Sequence, residues 1–431
     1  MRTSEDVMLM PIRLARLYVG ILLLTIAGTW GLIEAMRPAP IAAAATAAGP
    51  QAQSSEKGAQ IVPFKINVPD AVLTDLKERL ARVRFPDEIA GSAWDYGTNL
   101  AYLKELVVYW RDKFDWRAEE RRLNQFEQFK TNIDGLDIHF IHQRSRSPNA
   151  IPLLLLNGWP GTIDEFTKVI GPLTDPVAHG GRPEDAFHVV VPSMPGYGFS
   201  DKPRERGYNS DRMAGIWAKL MARLGYAGYG THGTDWGAGT GARLAVNDAA
   251  HVLGLHLTGC AGGGPPPPNG RGYSEIQGTK PQTVGFGLSD SPVGLAAWIV
   301  EKYHGWSDDN GEVEKVYTKD QLLTTITIYW VTNSATSSAR LYYENRHPDG
   351  RFLPTAGGGG FASRVEVPTG CGNFTTRYDF RGDFVPTPRT AAEKQYNVVR
   401  WTDMPRGGHF PALEQPQLWV DDVRAFFRDR R

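Results

Sequence analysis

Cysteine is nearly absent from this chain: Cys260 and Cys371 are the only two among 431 residues. No Cys-x-x-Cys pair and no His/Cys cluster at metal-ligand spacing occurs, which argues against a zinc or iron–sulfur centre. Two thiols in so large a protein are expected to be free or buried rather than paired, even in an oxidising setting. An excess of either charge is missing too. The 47 basic and 47 acidic residues balance, and no Lys/Arg-rich run stands out. Neither nucleic acid nor an anionic surface is therefore expected as a partner, and the ligand should be small and weakly charged. No metal and no redox cofactor is implied. Internal repeats are lacking, and low complexity is confined to residues 49–58, 262–268 and 357–360.

The chain does have the length for one large α/β domain with an accessory segment around a sizeable core. It opens with Arg2, Arg13 and Arg16, an apolar stretch over residues 17–27, and an Ala-rich stretch over 41–48, the order of a secretory signal. Cleavage is expected near Ala45-Thr46-Ala47. Apolar character persists past Trp30 to Met36, close to the ~20 residues a membrane span needs, so an uncleaved anchor is the alternative. In both cases the body of the protein is expected outside the cytoplasm, periplasmic or secreted, with membrane contact only through such an anchor.

Beyond the linker, a helix is predicted from Asp70, because Leu73, Leu76, Leu80 and Val83 fall on one face. The aromatic residues Trp94, Tyr96, Tyr109, Trp110, Phe114, Trp116, Phe126 and Phe129 are read as packing. Alternation over 136–142 predicts a strand, and the continuous apolar run 151–156 a buried one. Further strands are expected at 187–191, 229–232, 252–258, 365–367 and 398–401, with helices at 210–224 and 238–249 between them. This alternation predicts a mostly parallel sheet with a site at the carboxyl ends of its strands. The Gly/Pro tract at 262–268 and the glycines at 357–360 bracket a helical insert read as a lid.

One segment carries chemistry. Gly233-Thr234-Asp235-Trp236-Gly237 has the small-x-nucleophile-x-small spacing of a strand-to-helix elbow, with aspartate where serine is commoner. Small neighbours let the chain double back, and a carboxylate there can attack an electrophilic sp3 carbon to form an alkyl ester that water later cleaves. The plainer alternative is a glycine-rich turn with an aspartate helix cap.

Four motifs occur in order: Asn157-Gly158-Trp159-Pro160-Gly161, Pro195-Gly196-Tyr197-Gly198-Phe199-Ser200, the Asp235 elbow, and Arg406-Gly407-Gly408-His409-Phe410. In this the chain resembles the α/β-hydrolase epoxide hydrolases. Its segment 63–142 is similar to the N-terminal meander of their microsomal and juvenile-hormone branch. The resemblance implies an α/β-hydrolase fold, a mostly parallel sheet flanked by helices, with a helical lid and an N-terminal meander extension. Residues 1–48 are then signal or anchor, 49–58 linker, 59–143 the N-terminal meander domain, 144–259 the first part of the core, 260–364 the lid and 365–431 the second part of the core.

The resemblance also implies a cofactor-independent conversion of an epoxide and water to a vicinal diol. Asp235 would be the nucleophile, Tyr273 and Tyr342 would assist ring opening, and His409 would activate water. Tyr343 is the near neighbour of Tyr342. Oxyanion charge would be held by the backbone N–H groups of Trp159 and Trp236.

The chain departs from the family pattern in three places. A gapless alignment puts Arg377 where the family has its acid, whereas a two-residue insertion puts Asp379 there, with Asp383 in reserve; Asp379 is taken as the acid. Asn157 replaces the usual histidine before Trp159, and the entry to the lid after Cys260 is short, which would open access to the site. Two alternatives stay open. A haloalkane dehalogenase-like hydrolase would share the Asp-Trp elbow, and an inactive binding homologue would account for a missing acid.

Overall fold

The computed structural model describes residues 60–260, 271–350, 363–374 and 388–431. The predicted signal or anchor, the linker, and both Gly-rich tracts flanking the lid lie outside these residues. Among the described residues, nine strands form one sheet in the order β1-β2-β3-β5-β4-β6-β7-β8-β9. The N-terminal extension contributes β1 (Val62–Phe64), then α1 (Asp70–Ala81), α2 (Leu100–Asp112) and α3 (Trp116–Leu123), then the antiparallel pair β2 (Gln128–Ile133) and β3 (Leu136–Gln143). β3 pairs antiparallel with β5 (Phe187–Pro192), so the meander extends the main sheet.

From β5 onward every pairing is parallel, through β4 (Ile151–Leu156), β6 (Tyr229–Gly233), β7 (Val252–Thr258), β8 (Val365–Asn373) and β9 (Tyr396–Asp403). β4 lies between β5 and β6 with all six residues buried, which is why Ile-Pro-Leu-Leu-Leu-Leu reads as an unbroken apolar run. Helices α4 (Thr167–Thr174), α5 (Ser210–Arg223) and α6 (Trp236–Asn247) lie between these strands in sequence. Among the described residues, five α-helices lie between β7 and β8: α7 (Gly272–Thr279), α8 (Pro281–Asp290), α9 (Pro292–Trp306), α10 (Lys319–Val331) and α11 (Ala335–Arg346). They form the lid.

Helix α12 (Pro416–Phe427) closes the chain and is tied to the sheet through buried Asp422. That carboxylate accepts hydrogen bonds from His256 Nε2 at 2.9 Å, Thr402 Oγ1 at 2.8 Å and Arg400 Nε at 2.7 Å. Burial alone would raise its pKa; the donors more than offset this and hold it at about 2.

Three expectations change. β2 carries Gln128, Lys130, Thr131 and Asn132, which hid it from the hydrophobic pattern; its burial comes from pairing between β1 and β3. β8 runs to Asn373 rather than stopping at Val367, because Pro368 falls where the register with β9 shifts and its missing N–H is tolerated. Cys260 and Cys371 are paired, not free: they form a disulfide, with Cα atoms 5.4 Å apart, between the end of β7 and the adjacent β8. The aromatic residues of the extension pack, with Trp110, Phe114 and Trp116 buried and Trp94, Tyr109, Phe126 and Phe129 partly buried against the core, except Tyr96, which is 80% exposed.

Candidate active site

β6 ends at Gly233 and α6 begins at Trp236, so Asp235 occupies the turn between them with φ 51°. Positive φ is sparsely populated for a residue with a side chain and is held only where packing over-determines it. Gly237 supplies part of that packing: a β-carbon there would lie 2.1 Å from the carbonyl oxygen of Leu156, at the end of β4. The turn therefore presses against the loop Asn157–Gly161 that follows β4. Trp159 N–H in this loop donates to Asp235 Oδ1 at 2.8 Å, and Asn157 Nδ2 donates to the carbonyl of Gly158 at 3.3 Å. Trp236, at the first position of α6, has an N–H with no acceptor one turn earlier in the helix.

The other carboxylate oxygen, Asp235 Oδ2, faces His409 Nε2 at 3.6 Å. His409 follows β9, and its backbone N–H donates to the carbonyl of Trp306 at 2.8 Å. The loop is held from beneath by Glu414, whose carboxylate accepts from Gly408 N at 2.9 Å, Phe410 N at 2.8 Å and Asp308 N at 3.0 Å. Burial pushes the Glu414 carboxyl up to about 7 against the pull of those donors. Burial likewise holds the His409 ring neutral, well below the ordinary imidazole range. Glu165 is buried beside Gly161, and its Oε1 has no partner among the described residues. Burial first, then the charges of Asp235 and Glu414, keep it protonated.

The lid brings both predicted tyrosines over this pair. Tyr273 on α7 stacks on Trp159, ring centres 5.2 Å apart and planes 13° apart. Tyr342 on α11 stands edge-on to Trp159 at 6.1 Å and to Trp236 at 4.8 Å, and 5.9 Å from Tyr273. Burial pushes the Tyr342 phenol well above its ordinary value, with Tyr273 and Asp235 adding to the effect, so it is neutral. Tyr343 instead stacks on His347 at 3.8 Å.

Asp235, His409, Tyr273, Tyr342 and the Trp159 amide thus converge. Asp379, Asp383 and Arg377 lie outside the described residues. Sequence reasoning missed Trp306, Glu414, Glu165 and Lys302. Trp306 closes the site between Tyr273, at 5.2 Å, and the His409 ring, at 4.8 Å. No local pattern marks it, because it reaches the site only through the fold of the lid. Glu414 carried one signal, its position one turn beyond the Gly-Gly-His-Phe motif.

Residues 61–166 match the family described as the epoxide hydrolase N terminus, and residues 151–320 match the alpha/beta hydrolase fold. The chain is 37% identical over 420 residues to epoxide hydrolase 1 of Sus scrofa, covering 85% of this chain and 88% of that protein. The chain belongs to the epoxide hydrolases. It is 36% identical over 405 residues to juvenile hormone epoxide hydrolase 2 of Ctenocephalides felis, covering 84% of each. The crystal structure of juvenile hormone epoxide hydrolase from the silkworm Bombyx mori superposes with a TM-score of 0.77 at 34% identity, over 86% of this chain and 94% of that one. The enzyme is therefore an epoxide hydrolase of the α/β-hydrolase superfamily. Its match to the family's N-terminal segment takes in both the meander strands and the Trp159 loop.

Proposed function

We propose that this epoxide hydrolase works through an Asp235 alkyl-enzyme ester, on apolar epoxides small enough for a site walled by Trp159, Trp236 and Trp306. The observation that carries the reading is the division of the Asp235 carboxylate, with Oδ1 bonded to the Trp159 amide and Oδ2 turned toward His409. Oδ2 attacks an epoxide carbon, the carbon–oxygen bond breaks, and the ring oxygen takes a proton from a tyrosine hydroxyl. A neutral phenol suits this step, with an ordinary pKa near 10. Tyr273 and Tyr342 both bind the ring oxygen.

Ester formation removes the negative charge of Asp235. Neutral His409 then takes a proton from water, whose oxygen attacks the ester carbonyl carbon. The charge that develops on Oδ1 is held by the amide already bonded there, with the N–H of Trp236 as the second donor. As the intermediate collapses, the bond to the ester oxygen breaks, that oxygen leaves as the diol with the proton the attacking water had kept, Asp235 is ionised again, and the proton on His409 restores the tyrosine. Asp379 is the proposed partner that orients His409 and stabilises its charged form. The apolar N-terminal segment supports export, or anchoring with the catalytic body outside the cytoplasm.

Diol release from a panel of terminal and aryl epoxides, with Asp235→Ala as the matched control, tests the reading. Diol formed by the wild-type enzyme and lost in the variant is the expected result. Folded wild-type protein that yields no diol but releases halide from an alkyl halide would overturn it in favour of dehalogenation.

A further inference from the structure

Lys302 is a buried cation at the edge of this site that the mechanism above does not use; its side chain is 8% exposed. On α9 it stands one turn before Trp306, so helical geometry sets the two side chains on one face. Its ammonium lies 4.5 Å from the centre of the Tyr273 ring and 5.6 Å from that of Trp306. Its ion-pair partner is the neighbouring Glu301, which is 30% exposed. The cation is thus neutralised from the solvent side while its inner side meets the face of the phenol.

A cation over a neutral phenol gains only the attraction of the ring quadrupole. As the hydroxyl proton departs, the ring acquires negative charge shared between oxygen and carbons. The attraction then becomes one between opposite charges in a water-poor setting, where such interactions are strong. Stabilisation that grows toward the transition state accelerates the step, whereas equal stabilisation of both states does not. We infer that Lys302 is a positioning residue for ring opening, its ammonium stabilising the phenolate that forms at Tyr273 as the proton passes to the epoxide oxygen. The inference rests on the reading of Tyr273 as an acid in that step.

Single-turnover mixing with excess enzyme separates ester formation from ester hydrolysis, the tryptophan-rich site supplying a fluorescence signal. Lys302→Met keeps the stem without the charge. It is expected to slow ester formation about tenfold, less than the 10²–10³ lost with a direct oxyanion donor, and to leave hydrolysis unchanged. Lys302→Arg, which keeps the charge, should restore most of the rate. In a Tyr273→Phe background, Lys302→Met should add little, because the residue through which it acts is gone. Equal slowing of both steps, failure of arginine to rescue, or an undiminished effect in the Phe background would each overturn the inference. Wild-type ester formation in Tyr273→Phe would instead overturn the acid reading of Tyr273, and this inference with it.

Discussion

A β-carbon on Gly158 would lie 2.0 Å from Oδ1 of Asp235, so the Asn157–Gly161 loop can approach this carboxylate so closely only because Gly158 has no side chain. Gly158→Ala must therefore push the Trp159 amide away from Asp235 or turn the carboxylate. We expect kcat to fall about 10²-fold, the scale of a lost oxyanion donor, with the melting temperature little changed. Steady-state kinetics beside a thermal melt checks this; wild-type turnover would show that the loop can shift freely.

The two half-reactions should separate by mutation. On the proposed mechanism, His409→Gln and Asp379→Asn would leave the Asp235 nucleophile in place but remove the base or its partner, so the alkyl-enzyme should form and persist. Intact-protein mass spectrometry after brief exposure to epoxide should show the adduct in both, with hydrolysis slower by about 10²-fold or more. If Asp379→Asn turns over like wild type, another carboxylate serves His409.

Acid should destabilise the fold steeply below about pH 4.5. His139 is held at about 3 and His142 at about 4 by burial, and His232 and His409 are depressed by the same cause. Each binds its proton in the unfolded chain first, so the stability it contributes is present above the ordinary imidazole value and is lost as pH falls toward the folded value. Glu165 and Glu414, both raised, act oppositely: their contribution is lost as pH rises above the ordinary carboxyl value. Between about 4.5 and 6.5 the two glutamates offset only about half of what the four histidines lose, so stability already falls gently there. Below that range the glutamates are protonated in both states, and each neutral histidine costs about 1.4 kcal/mol per pH unit. Denaturant titrations from pH 7 to 3.5 should show a shallow upper region and a sharp lower one.

Reduction should weaken the fold. The Cys260–Cys371 bridge closes a segment with a sequence separation of 111, and Cys371→Ser is expected to cost about 2–4 kcal/mol by releasing that constraint on the unfolded chain. Chemical denaturation with and without reductant measures it, and the variant should no longer respond to reductant.

How far the sequence spoke depended on whether a feature was local. The elbow was legible because Gly233, Asp235 and Gly237 lie within five consecutive residues, and His409 because its glycines adjoin it. β4 was legible because burial on both faces leaves an apolar run with no exceptions. β2 was not, since its polar residues are covered by neighbouring strands from elsewhere in the chain. Trp306 and Lys302 belong to the same class: each reaches the site through the packing of the lid on the core, and neither sits in a pattern of its own. The cysteine pairing failed as an expectation for a related reason. Two residues separated by 111 positions become neighbours only because β7 and β8 are adjacent parallel strands.

That pairing has a consequence for how the lid could vary. Helices α7 to α11 leave the sheet just beyond Cys260 and return to it along the strand that carries Cys371, so the whole insert is a closed loop pinned at one covalent base. Its length and composition can change without altering the distance its two ends must span. The lid is in effect a cassette, joined to the sheet at a fixed covalent hinge.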